Sequence, residues 1–306
     1  MNNSAEMPSA GKQQFLHSAF AFAAQFEKTL LTIGGLICFA LFWASGRLFR
    51  IPVTPHLSAS LLQQPTLAST LVIAAIVYAV SVLIGTIICG KVGFDAGLFC
   101  ASIGLLALSA RGGSMRFTLF SATGSGIWIS LAIEISVLAV FVVGGWMIQR
   151  SLSLGGLMAS DRERNQMLEV HDAIDQKLLA FATNVVVIAA LMMILSASDR
   201  KMQAVCAVAS SSFIATVLAY YLVPTEPSAW YWAAPIAVGA IGYLFQYFGN
   251  TNGWRIGEPQ GTFAALARPL PLDYVGSGVA FSIFGYWSAR KWHRENANTA
   301  HPESVN

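Results

Sequence analysis

ISLAIEISVLAVFVVGGW, residues 129–146, decides what kind of protein this is. The run is apolar from end to end except for short hydroxyls, glycines and one carboxylate, Glu134. About 20 such residues span a bilayer as an α-helix. The rest of the chain has the same character. It is 55% hydrophobic and 11% charged over 306 residues, with a mean hydropathy of +0.60. Soluble domains carry roughly 25% charged residues, so these charges are too few to cover a water-facing surface, and lipid is the expected solvent.

Working outward from Glu134, eight runs are candidate spans: residues 29–48, 70–88, 94–110, 127–147, 178–196, 202–223, 230–248 and 274–289. The shortest are 94–110 and 274–289. Breakers such as Arg111-Gly-Gly113, Gly124-Ser-Gly126 and Pro224-Thr-Glu-Pro227 punctuate the connections. The expected fold is therefore an all-α polytopic transmembrane helix bundle of about eight spans, with short interfacial and cytoplasmic helices. Residues 1–28 form a cytoplasmic N-terminus. Within it, 13–27 place Phe15, Phe22 and Phe26 on one helical face, as an interfacial helix would. Residues 29–290 are the bundle, and 291–306 a polar cytoplasmic tail. No cleavable signal is evident in the polar residues 1–12, so the first apolar run is expected to be retained.

Two connections are long. Residues 150–177 form a cytoplasmic loop in which Ser160 and Glu163 make a capping box. A helix is expected to begin there and to continue into the fifth span. Residues 249–272, rich in Gly and Pro, read as an extracytoplasmic loop. With eight spans and a cytoplasmic N-terminus, ten of the 18 Lys and Arg fall inside and eight outside. If 94–110 does not cross, the division is nine to nine. The basic string RKWHR at 290–294 follows the last span and favours a cytoplasmic C-terminus. The expected location is a bacterial inner (cytoplasmic) membrane.

Glu134 lies about 5 Å from the middle of its span, at 1.5 Å per residue. A charge there costs a few kcal/mol on insertion scales, so the carboxyl is expected to face the bundle interior. Arg116, reaching down from the interface, is a candidate partner, with the mid-depth hydroxyls of other spans as the alternative. Tyr78, Ser210, Ser211 and Asn184 fall within spans as well, and with Glu134 they are the candidate substrate or ion residues. Arg111 and Arg116 flank a Gly-Gly turn whose amides could meet an anion or lipid head group.

Other chemistries find little footing. No His lies in a span. Cys38, Cys89, Cys100 and Cys206 share no metal-ligand spacing and read as small buried hydrophobes. Glu169, His171, Asp172 and Asp175 read as a solvated face. No cofactor or metal is expected, and catalysis has no acid–base pair to rest on. A net charge of +3 offers no nucleic-acid footprint. The expected partners are the lipid bilayer and other membrane subunits or further copies of the chain. The favoured function is a transporter or permease for a small or amphipathic solute. The alternative is a non-catalytic accessory or assembly subunit of a larger membrane complex.

Overall fold

The computed structural model describes residues 10–46, 60–62, 67–90, 92–120, 122, 124–154, 174–198, 200–249 and 264–300. Among these the chain is helical, with no strand. The helices are α1 (Ala10–Ser45), α2 (Leu67–Cys89), α3 (Ala96–Arg111), α4 (Met115–Phe120), α5 (Gly126–Leu154), α6 (Ile174–Leu195), α7 (Lys201–Leu222) and α8 (Ala229–Gly249). A 3-10 turn, Ala265–Ala267, follows. The final stretch opens as one turn, α9 (Pro271–Asp273), widens into a π-helical turn over Tyr274–Gly278, and continues as α10 (Val279–Ala300).

Among the described residues, five segments are long and apolar enough to cross a membrane: Phe26–Ser45, Ala68–Cys89, Gly126–Leu152, Ile174–Leu195 and Lys201–Leu222. They fit an integral membrane protein. The other three expected spans differ for identifiable reasons. The helix α3 has only 16 residues, about 24 Å of rise. In α8 the length suffices, but Trp230, Tyr231, Trp232, Tyr243, Gln246 and Tyr247 dilute its hydropathy. The second half of α10 is polar.

Two expected boundaries change. The interfacial helix at 13–27 is not separate, because α1 runs without a break from Ala10 to Ser45. The final helix continues past residue 290 to Ala300, so part of the expected polar tail is helical. The expected start of the helix from Ser160, residues 160–173, lies outside the described residues, which resume in α6 at Ile174. Residues 250–263 of the expected 249–272 loop also lie outside them.

Helix α3 sits at the centre. Eleven of its 16 residues are buried, and it packs against α1, α2, α5, α10 and the π turn. Small residues permit this. A Cβ on Gly97 would collide with Thr86 Oγ1 and lie 2.9 Å from Val82 O, and one on Gly104 would collide with the Phe42 ring. From the other side, Gly276 in the π turn meets the backbone of Leu106. Without a hydrophobic force between helices in lipid, such close backbone approach supplies the packing. The outward faces carry large apolar side chains, such as Val72, Ile76, Val140, Val186 and Ile194.

Candidate functional site

The two ends of the bundle can be named by residue. The Lys201 end collects Ser45, Ser60–Leu62, Arg111, the start of α5 and α9. The Arg290 end collects Cys89, Gln149 and the start of α8. This assignment follows from contacts that tie distant segments: Lys201 to Asp273, Ser109 to Asp273, Gln149 to Phe94, and Arg290 to Glu226.

Asp273 is the hub of the Lys201 end. Its carboxylate is 1% exposed. Oδ1 accepts a hydrogen bond from Ser109 Oγ and lies 2.6 Å from Lys201 Nζ. Oδ2 accepts the Leu270 N–H at 2.8 Å. Local sequence explains the placement: Pro271 opens the helix, where its missing N–H costs nothing, and an acid two residues later faces free backbone amides. Immediately beyond, the backbone widens into the π turn, with Ser277 Oγ donating to Asp273 O at 2.6 Å. Such turns are rare and frequent at functional sites.

Glu134 lies at the same end, 1% exposed. It faces the interior, but its donors come from elsewhere than expected. Ser60 Oγ donates to Oε2, and the Leu62 N–H donates to the same oxygen at 3.4 Å. Both belong to a short buried segment between α1 and α2, not to a spanning helix. Arg116 is exposed on α4 and is not the partner. Oε1 has no hydrogen-bond partner among the described residues. Lys201 lies close enough to act electrostatically on Glu134. Tyr243 stands within such reach of both Glu134 and Asp273.

The wall behind these carboxylates is pinned to the segment before α9. Tyr243 Oη donates to Pro269 O, and Tyr274 Oη to Leu266 O, each at 2.7 Å. The Ala264 N–H donates to Gln246 Oε1 at 2.8 Å, and Arg268 donates to Ser196 O.

The remaining candidates are dispersed. Ser210 is exposed on α7. Ser211 is buried but donates back to Ala207 O and Val208 O of its own helix. Tyr78 is buried against Gly145 and Phe141, toward the far end of α5 from Glu134, and its Oη has no partner among the described residues. Asn184 has a different task. Pro235 lacks the N–H that would close a helical bond to Tyr231 O. Asn184 Nδ2 supplies a donor there at 2.9 Å and also meets Thr216 Oγ1 at 3.3 Å. Arg111 is engaged with α1: its guanidinium stacks 5.0 Å from the Trp43 ring and donates to Trp43 O. The expected anion site at Arg111 and Arg116 is thus divided between one committed and one exposed arginine.

Sequence reading missed Asp273, Lys201, Ser109 and Ser60. A signal existed for Asp273, since Pro-x-Asp just ahead of an apolar run is a helix-start pattern. Ser60 carried none. No family model, curated protein or solved structure matches this chain.

Proposed function

We propose that the protein is a polytopic transporter for a small or amphipathic solute, and that the two buried carboxylates at the Lys201 end, Glu134 and Asp273, form its working site. In this reading the chain crosses a bacterial inner membrane about eight times, with both termini cytoplasmic. One observation carries the reading. Two buried carboxylates, Glu134 and Asp273, are held at one end of the bundle by backbone that is not continuous spanning helix: the Ser60–Leu62 segment and the α9 turn that opens into the π turn. Transporter sites are typically built where helices are interrupted, and ionisable residues inside a membrane domain mark ion or substrate paths.

The test is flux into proteoliposomes under an imposed pH gradient or potential, with a panel of small amphipathic cations and neutral solutes. The expected result is uptake above empty liposomes, reduced to their level by Glu134→Gln. No wild-type flux for any solute would remove the reading. A C-terminal reporter active only outside the cell would remove the topology.

The accessory-subunit reading has its own support. Only 22% of the apolar window of α6 is buried, and the helix turns Leu178, Leu179, Val186, Met193 and Ile194 outward. That face suits another membrane subunit as well as lipid. Isolation in mild detergent with stoichiometric foreign subunits would favour it over transport.

A further inference from the structure

We infer that Glu134 is a proton-binding site, taking its proton on Oε1, and not a site for a metal cation. The inference rests on the transport reading for its role in a cycle, but its chemistry stands on the local geometry.

The two oxygens of Glu134 are unlike. Oε2 accepts from Ser60 Oγ and from the Leu62 N–H. Oε1 is buried and has no partner among the described residues. A buried carboxylate costs far more than a buried neutral carboxyl, and a proton on Oε1 removes the charge while leaving both donors on Oε2 undisturbed. Binding and release then need no rearrangement of the Ser60–Leu62 segment. The proton comes from water and returns to it, with no other bond made or broken.

A metal cation fits these surroundings poorly. Hard cations need several oxygen ligands at short range. The groups on the carboxyl are instead the Ser60 O–H and the backbone N–H groups of Leu61 and Leu62, all presenting hydrogen. The charged or titratable groups that act on Glu134 from packed elements are Lys201 of α7 and Tyr243 of α8. The first is an ammonium, which repels a second cation. The second commits its hydroxyl proton to Pro269 O. Asp273, the last residue of α9, is matched by Lys201. The Lys201 charge thus serves both acids: it is paired with Asp273 and stands near Glu134, so a proton arriving at Glu134 changes the balance around the pair.

Infrared spectroscopy of the purified protein reads this directly. The wild type is expected to show a protonated-carboxyl C=O band that titrates with pH, is absent from Glu134→Gln, and does not respond to sodium or potassium at fixed pH. Ser60→Ala removes a donor and keeps the carboxyl, so it should retain the band and shift the pH at which it titrates. This second variant serves where Glu134→Gln fails to fold. Wild-type and Glu134→Gln spectra that coincide at every pH would overturn the inference. So would a band abolished by sodium, or a Ser60→Ala titration identical to wild type. A titrating Glu134 band without solute flux would defeat transport and leave the proton site standing.

Discussion

Lys201 Nζ lies 2.6 Å from Asp273 Oδ1, joining the first residue of α7 to the last of α9 across 72 positions of chain. The acid is 1% exposed and the lysine side chain 14%. Ser109 adds a third element, α3, to the same carboxylate. The pair therefore closes the Lys201 end of the bundle as well as balancing charge.

Removing one partner leaves the other charge buried and uncompensated. Lys201→Met is expected to destabilise by about 3 kcal/mol, the lower range for breaking a buried pair. Asp273→Asn should cost a similar amount, because the amide has one acceptor where the carboxylate has two and leaves Lys201 without its counter-charge. The double variant should cost less than the two singles combined, with a coupling of about 1–3 kcal/mol. Thermal unfolding in detergent, read as a double-mutant cycle, checks this. Strict additivity would show that the pair does not couple.

At Glu134 the side chain's two jobs separate by substitution. Glu134→Gln keeps an acceptor for Ser60 and Leu62 and should unfold close to the wild type. Glu134→Leu strands both donors and should lose about 1–3 kcal/mol. In proteoliposomes Glu134→Gln should nonetheless abolish flux. Equal stability of the Gln and Leu variants would argue that the Ser60 contact contributes little.

The proline in α8 makes a conditional prediction. Asn184→Ala leaves Tyr231 O without its 2.9 Å donor and should cost about 1–2 kcal/mol. Pro235→Ala restores a backbone N–H to that carbonyl. In the Pro235→Ala background the Asn184→Ala loss should shrink markedly. An unchanged loss would mean that Asn184 works chiefly through Thr216.

Glycines give a matched comparison. A Cβ at Gly276 would lie 2.7 Å from the backbone N of Leu106, which cannot swing aside as a side chain would. Gly276→Ala should therefore cost about 1–3 kcal/mol through overpacking. A Cβ at Gly144 meets nothing within 4 Å. Gly144→Ala should be neutral or gain up to about 1 kcal/mol from helix propensity. Melting temperatures of the two variants in the same detergent check the contrast.

The sequence alone determined the apolar, membrane-type character and the all-helical class. Apolar runs of about 20 residues are long enough to be read from composition, and Gly and Pro breakers marked where several helices end. It also determined that Glu134 had to face inward, because a charge among lipid tails is expensive. Whose hydrogen bonds meet it was decided only by the tertiary structure. Ser60 lies 74 positions away in a segment with no periodic signal. Lys201 and Asp273 read separately as charges flanking spans, and only packing put them 2.6 Å apart. Asn184 looked like a polar residue toward the cytoplasmic end of its span until Pro235 of another helix gave it a carbonyl to serve. The reason is common to all three. Helix formation satisfies backbone groups within a few residues, so it is written locally. Satisfying a buried side chain depends on which helix happens to lie beside it, which only the packed bundle fixes.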